Sequence, residues 1–171
     1  GCGYGRNLFN IHHLGGPIGI PYYAAEYTES GQALASLLAS LDDTIDLRVD
    51  HFDHTAVDLR FIDDSNHLFA FTCHSIEQVA EIPGSYFEDL ARSVRKLTCI
   101  HFESFGFQVS TDNPYSVRQE KFFNERGWNT NFFEMLKTAA DAGTINLTHV
   151  YKDIIPNEEV SPTSVAIWQN F

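Results

Sequence analysis

Between residues 30 and 53 the hydrophobic pattern changes period, and that change rules out both an all-helical and an all-strand chain. Leu34, Leu37, Leu38 and Leu41 recur at helical spacing and predict a helix from Ser30 to Leu41, capped by Thr28 or Ser30. Asp42 and Asp43 follow at its C-terminal end, where negative charge opposes the helix dipole. From Thr44 to Asp53 the repeat falls to two. Ile45, Leu47 and Val49 face one side and Asp46, Arg48 and Asp50 the other, as in a half-buried strand. Thr55 to Ile62 repeats that alternation, Asp63-Asp64-Ser65-Asn66 reads as a turn, and His67 to Cys73 reads as the returning strand of a β-hairpin.

Further along, Ser75-Ile76-Glu77-Gln78 and Ser85-Tyr86-Phe87-Glu88 have capping-box patterns, the first helix stopping before Pro83 and the second carrying Phe87, Leu90, Ala91 and Val94. Leu97 to Ser104 and Phe105 to Ser110 read as strand, bent at Gly106. Asn113-Pro114 opens a helix that ends near Gly127, and Asn131 opens another that ends at Gly143. Ile145 to Asp153 reads as a strand, and Thr163 to Trp168 as a last edge strand. Strands and helices do not alternate regularly and a tight hairpin is expected. The expected class is therefore α+β, a mainly antiparallel sheet with about four helices packed against it.

At 171 residues the chain is expected to be a single domain, 1–171, with residues 1–20 as a loop-rich N-terminal extension. The opening Gly1-Cys2-Gly3-Tyr4-Gly5 reads as a cloning or processing junction, and the chain as a domain cut from something larger. Gly15-Gly16-Pro17-Ile18-Gly19 lacks the Lys-Ser/Thr ending of a phosphate-binding loop. No membrane-spanning stretch or targeting segment is visible, which gives a soluble chain of unassigned compartment. Three cysteines make no disulfide framework, although a Cys73–Cys99 bridge is open to the chain. Asn146-Leu147-Thr148 is a glycosylation triplet, discounted because it falls inside an expected strand.

A formal charge of −12 repels phosphate backbones and anionic lipid, so neither nucleic acid nor membrane is expected as a partner. The leading functional expectation is a non-catalytic, inhibitor- or immunity-like domain that engages a protein partner, basic in character. Its surface would combine Asp42, Asp43, Asp46, Asp50, Asp63 and Asp64 with the doubled phenylalanines Phe122-Phe123 and Phe132-Phe133. Two adjacent rings on a helix do not share one narrow stripe, so one of each pair should be exposed or lie between layers.

Two alternatives remain open. No cofactor is expected under the leading reading, but a divalent metal, iron or zinc, would suit His51, Asp53 and His149, with His101 as a substitute ligand. His51 and Asp53 share one side of an extended strand, and this His-x-Asp plus distant His resembles the ligand set of non-haem iron oxygenases on jelly-roll barrels. Those enzymes carry a basic residue beyond the distal histidine; here only Lys152 is near. The other alternative is a small-molecule cup lined by Tyr22, Tyr23, Tyr27, Phe102, Phe105 and Phe107. Thiol catalysis lacks an orienting residue for Cys99 and His101, and no Gly-x-Ser-x-Gly elbow supports a serine hydrolase.

Overall fold

The computed structural model describes residues 1–63, 67–155 and 162–171. It divides into two compact units, Gly1–Asp53 and His54–Phe171. Six α-helices and two sheets lie among the described residues, one sheet two-stranded and parallel and the other four-stranded and mixed, in place of the single mainly antiparallel sheet expected.

The first unit contains α1 (Arg6–His13), β1 (Tyr22–Glu26), α2 (Glu29–Ser40) and β2 (Leu47–His51). β1 and β2 pair in parallel, with Tyr22 opposite Leu47 and Glu26 opposite His51. Parallel neighbours need a crossover, and α2 supplies it. Thr28 caps α2 by accepting from the Gly31 N–H at 3.1 Å. The leucine stripe does not form the buried face expected of it. Leu34, Leu37 and Leu41 are 43%, 56% and 75% exposed, and Ala35 is fully buried instead. The helix meets β1 through small residues: a side chain at Gly31 would strike the Glu26 side chain. The N-terminal twenty residues are likewise not only loop, since α1 occupies Arg6–His13.

The second unit contains β3 (Leu68–Cys73), a single 3₁₀ turn at Ile76–Gln78, α3 (Tyr86–Ser93), β4 (Leu97–Glu103), α4 (Gly106–Val109), α5 (Pro114–Arg126), α6 (Phe132–Asp141), β5 (Asn146–Ile155) and β6 (Thr163–Gln169). The sheet order is β3-β4-β6-β5. β3 pairs with β4 in parallel; β6 is antiparallel to both β4 and β5. The expected hairpin is therefore absent. Residues 55–62 form no strand, β3 takes β4 as its partner, and residues 64–66 of the expected turn lie outside the described residues.

Phe105–Ser110, expected as strand, holds α4; a side chain at Gly106 would collide with the Asp153 carboxylate packed against it. β6 is flanked on both sides and is not an edge. The expected start and stop of α5 are observed: Asn113 accepts from the Tyr115 and Ser116 N–H groups, and Gly127 ends it at φ 62°. α6 likewise opens after Asn131, but without a side-chain cap, since the Asn131 side chain accepts instead from the Ile82 N–H. None of the three cysteines is in a disulfide, so the Cys73–Cys99 bridge is not made.

The core of this unit is an aromatic cluster. Phe87 lies edge-on to His101, Phe132 and Trp168 at centroid distances of 5.8, 5.7 and 5.9 Å. Trp168 is fully buried, and its indole N–H donates to His101 Nε2 at 2.9 Å. Trp168→Ala is expected to cost about 3–5 kcal/mol of stability through lost burial and cavity. Trp168→Phe keeps most of the volume but leaves His101 Nε2 only the weak Cys99 thiol at 3.5 Å, at about 1–3 kcal/mol. Urea unfolding followed by circular dichroism measures both.

Candidate functional site

In the first unit the glycine-rich opening forms a turn that feeds α1. The Gly5 N–H bonds the Cys2 carbonyl at 3.0 Å, and Gly3 and Gly5 sit at φ 56° and 85°, backbone that favours glycine. No side chain caps α1, and the space where a Gly3 side chain would stand is open. This turn is tied to the carboxyl end of β1. The Cys2 N–H donates to the Ala25 carbonyl at 3.0 Å, and the Gly3 N–H donates to Glu26 Oε2 at 2.8 Å.

Glu26 is 6% exposed and its second oxygen accepts from the Thr28 N–H and hydroxyl at 2.9 and 2.7 Å. Burial raises its carboxyl pKa, but the hydrogen bonds from Thr28 and Gly3 outweigh burial, and the net shift is downward. The result is an ionised carboxylate beside an open glycine backbone and an uncapped helix start. That combination suits a ligand with hydroxyl donors and a group that accepts from backbone amides. The junction reading of this opening missed it. The signal that finds it is Gly-x-Gly-x-Gly directly before a helix, followed by a strand that ends in an acidic residue.

In the second unit, polar groups gather where β3 and β4 end and β6 begins. Glu103, 2% exposed, accepts from the Ser75 N–H at 3.2 and 3.1 Å to its two oxygens. Burial pushes its carboxyl up to about 7, against the opposing hydrogen bonds from Thr72, Ser75 and Ile76. A one-way donor chain reaches it from the core. Trp168 donates to His101 Nε2, so Nδ1 carries the proton and donates to the Thr72 hydroxyl at 2.9 Å, and that hydroxyl donates to Glu103. Burial holds His101 neutral, with its pKa lowered to about 3. His54 is buried beside these groups, 3.0 Å from the Tyr86 hydroxyl and 3.2 Å from Ser75 Oγ.

His74 follows β3 directly, with φ at 51° and its N–H on the Phe102 carbonyl at 2.9 Å. Its Nδ1 lies 3.1 Å from Glu77 Oε2, and its Nε2 lies 2.8 Å from Thr163 Oγ1. The hydrogen bond and charge of Glu77 raise its pKa despite burial.

The residues expected to bind a metal are dispersed. His51 ends β2 in the first unit, exposed, 3.3 Å from the Gln32 amide nitrogen, with half-buried Asp53 two residues on. In the second unit His101 is fully buried with both nitrogens hydrogen-bonded. His149 is exposed on β5, stacked on Tyr151 and separated from β4 by β6. Among the described residues no three His, Cys, Asp or Glu side chains form a group able to hold a metal.

Of the acidic set, Asp42 accepts from the Thr44 N–H and hydroxyl, Asp46 pairs with Arg48 at 3.2 Å, and Asp50 accepts from the His51 N–H. Asp43 and Asp63 are exposed; Asp64 lies outside the described residues. Phe123 and Phe132 are buried, while half-buried Phe122 lies under the Arg126 guanidinium and half-buried Phe133 stacks on Phe105.

No known family profile matches the chain, and no curated protein matches it. Solved structures do. A methyltransferase dependent on S-adenosylmethionine from Aquifex aeolicus superposes with a TM-score of 0.58 at 17% identity, over 100% of this chain and 79% of that one. One from Methanosarcina mazei gives 0.61 at 11% identity, over 99% and 88%. The fold resembles the Rossmann-like fold of these methyltransferases. The geranyl diphosphate C-methyltransferase of Streptomyces coelicolor, solved with S-adenosylhomocysteine, gives 0.56 at 12% identity, over 100% and 68%.

This finding overturns the expected non-catalytic interaction domain and the iron enzyme. The likeness is to the fold of solved methyltransferases, not to a metal-centred jelly-roll barrel. Among the described residues no helix is long and apolar enough to cross a membrane.

Glu103 also sets a pH dependence. Its pKa is raised from 4.5 to about 7 on folding, so the folded state keeps a proton that the unfolded state releases in that interval. Its contribution is fully present below about pH 4.5 and is lost as pH rises through about 7. Glu103→Gln is expected to flatten that decline, read from urea midpoints taken across the interval.

Proposed function

We propose that this chain is a methyltransferase that uses S-adenosylmethionine. The observation that carries the reading is the Gly1-x-Gly3-x-Gly5 turn hydrogen-bonded to Glu26 at the carboxyl end of β1. The structural likeness to solved methyltransferases supports it. The residues fit the cofactor. Positive φ and open space at Gly3 allow a ligand close to the backbone. Glu26, an ionised acceptor about twenty residues past the glycines, suits a pair of ribose hydroxyls. The uncapped first turn of α1 suits the carboxylate of the methionyl part.

Bound there, S-adenosylmethionine supplies a methyl group on a positively charged sulfur that leaves as a neutral thioether. The protein's part is to hold the nucleoside through Glu26 and the glycine turn. Thr28 fixes the Glu26 carboxylate, and Gly31 lets α2 approach it.

Isothermal titration with S-adenosylmethionine and S-adenosylhomocysteine tests the reading. Both are expected to bind. Glu26→Gln keeps the shape but exchanges charge-assisted hydrogen bonds for neutral ones, so affinity should fall about tenfold. Gly3→Val should abolish binding by filling the open space and straining the turn. Absence of binding by the unsubstituted chain overturns the assignment.

A further inference from the structure

The second unit holds a small pocket of about 10 Å³, roughly the room of one water molecule, bordered by the 3₁₀ turn, the end of β4 and helices α4, α5 and α6. Its walls are aromatic, from Phe105, Phe123 and Phe132. Two carboxylates line it: half-buried Glu77 and Glu103, which is 2% exposed. Among the described residues no lysine or arginine lines it.

The neutral amides around this space are already bonded within the protein. Asn129 Nδ2 donates to the Val79 carbonyl and to Asn131 Oδ1 at 3.1 and 3.0 Å, and its Oδ1 accepts from the Phe132 N–H at 2.8 Å. Gln108 donates to the Asn129 carbonyl at 3.0 Å and accepts from the Phe133 N–H at 2.8 Å. Acceptor capacity is left on the carboxylates. Glu77 Oε2 lies 3.1 Å from His74 Nδ1, while its Oε1 has no hydrogen-bond partner among the described residues.

The occupant that suits this lining is small, positively charged and rich in donors. A water molecule fits the space but brings no charge. A metal ion needs a ligand set to replace its waters, and no group of three His, Cys, Asp or Glu side chains offers one among the described residues. An ammonium head is about as large as a water molecule, carries a full charge and brings three N–H donors. Aromatic walls favour such an organic cation. Its alkyl chain would leave past Glu77 and Gln108, the half-buried residues of the lining.

We propose that this pocket binds the head group of a primary ammonium ligand, R–NH₃⁺, between Glu77 and Glu103. The site lies in the second unit alone, and it stands whether or not the first unit holds S-adenosylmethionine.

Binding at this place has a proton signature. Burial leaves Glu103 to titrate at about 7. A neighbouring ammonium favours the ionised carboxylate, so binding expels the Glu103 proton and affinity rises with pH through about 7. His74, whose pKa is raised by its hydrogen bond to Glu77, acts in the same direction, because its imidazolium repels the ligand and is lost as pH rises. The other titratable groups facing Glu103 are Tyr86 from α3, which burial keeps neutral, and His54, which reaches it through Ser75.

The test uses the full chain without cofactor, at about 0.15 M salt to screen its surface charge. Propylamine, propanol and potassium chloride are titrated separately, and binding is read from NMR chemical shifts of the Ser75, Glu77 and Ser104 amides. Propylamine is expected to bind with a Kd between about 0.1 and 10 mM, as suits a ligand of four heavy atoms. Propanol and potassium should bind at least about tenfold more weakly. Glu77→Gln, whose folding is checked by circular dichroism, should weaken propylamine binding about tenfold. Affinity should rise about three- to tenfold from about pH 5.5 to 7.5 in the unsubstituted chain, and less in Glu103→Gln.

The proposal is overturned by propylamine failing to bind, by propanol binding as tightly, which marks a pocket for water or any small polar group, or by potassium binding as tightly, which marks an unspecific cation site. Propylamine affinity within about threefold in Glu77→Gln, or unchanged between the two pH values, also overturns it. Should Gln at 103 prevent folding, the Glu77→Gln affinity and the pH dependence of the unsubstituted chain decide.

Discussion

The Glu103 carboxylate, 2% exposed at the end of β4, has to be met by donors for the strand ends around it to close. It is met from two directions. The Ser75 and Ile76 amides come from the chain leaving β3, and the Thr72 hydroxyl comes from β3 itself at the end of the chain of donors from Trp168 through His101. The register of β3 on β4 makes this possible, because Thr72 stands opposite His101 and Cys73 opposite Phe102. The turn that places His74 in its left-handed conformation is fixed by the same contacts. A structural requirement, satisfying one buried acceptor, thus also fixes the backbone that carries the His74 imidazole.

Glu26 shows the same principle with the opposite outcome. It too ends a parallel strand and is almost fully buried, yet its pKa is lowered where that of Glu103 is raised. Glu26 accepts from two groups of Thr28 and from Gly3, whereas at Glu103 burial outweighs its donors. One carboxylate is kept ionised, as an acceptor of ligand hydroxyls should be. The other sits near the point of protonation. Residue type alone distinguishes neither.

Local signals in the sequence were reliable where a helix end is encoded by its own neighbours. Asn113-Pro114 and Gly127 bound α5 because a side-chain cap and a left-handed glycine act within a few residues. Strand partners were not legible in this way. The alternation around β3 states that one face is buried, not which strand lies alongside, and so a hairpin and a parallel crossover read alike. The leucines of α2 misled for a related reason: helical spacing marks a stripe, but Ala35 and Gly31 set the contact with β1. His101 and His149 have the parity of an interior pair, yet the first is locked in the core and the second exposed on a different strand.

By itself the sequence determined a mixed α/β composition of elements, several helix boundaries, an acidic surface and the absence of a cysteine framework, because each depends on nearby residues or on totals. The glycine turn was also written there, in a pattern that gains meaning only beside Glu26. Tertiary structure alone decided that β1 pairs with β2 and β3 with β4 in parallel, that Gly3 meets a carboxylate over twenty residues away, and that Thr163 meets His74 across 89 positions. Such pairings depend on which strands lie side by side, and hydrophobic period carries no information about that choice.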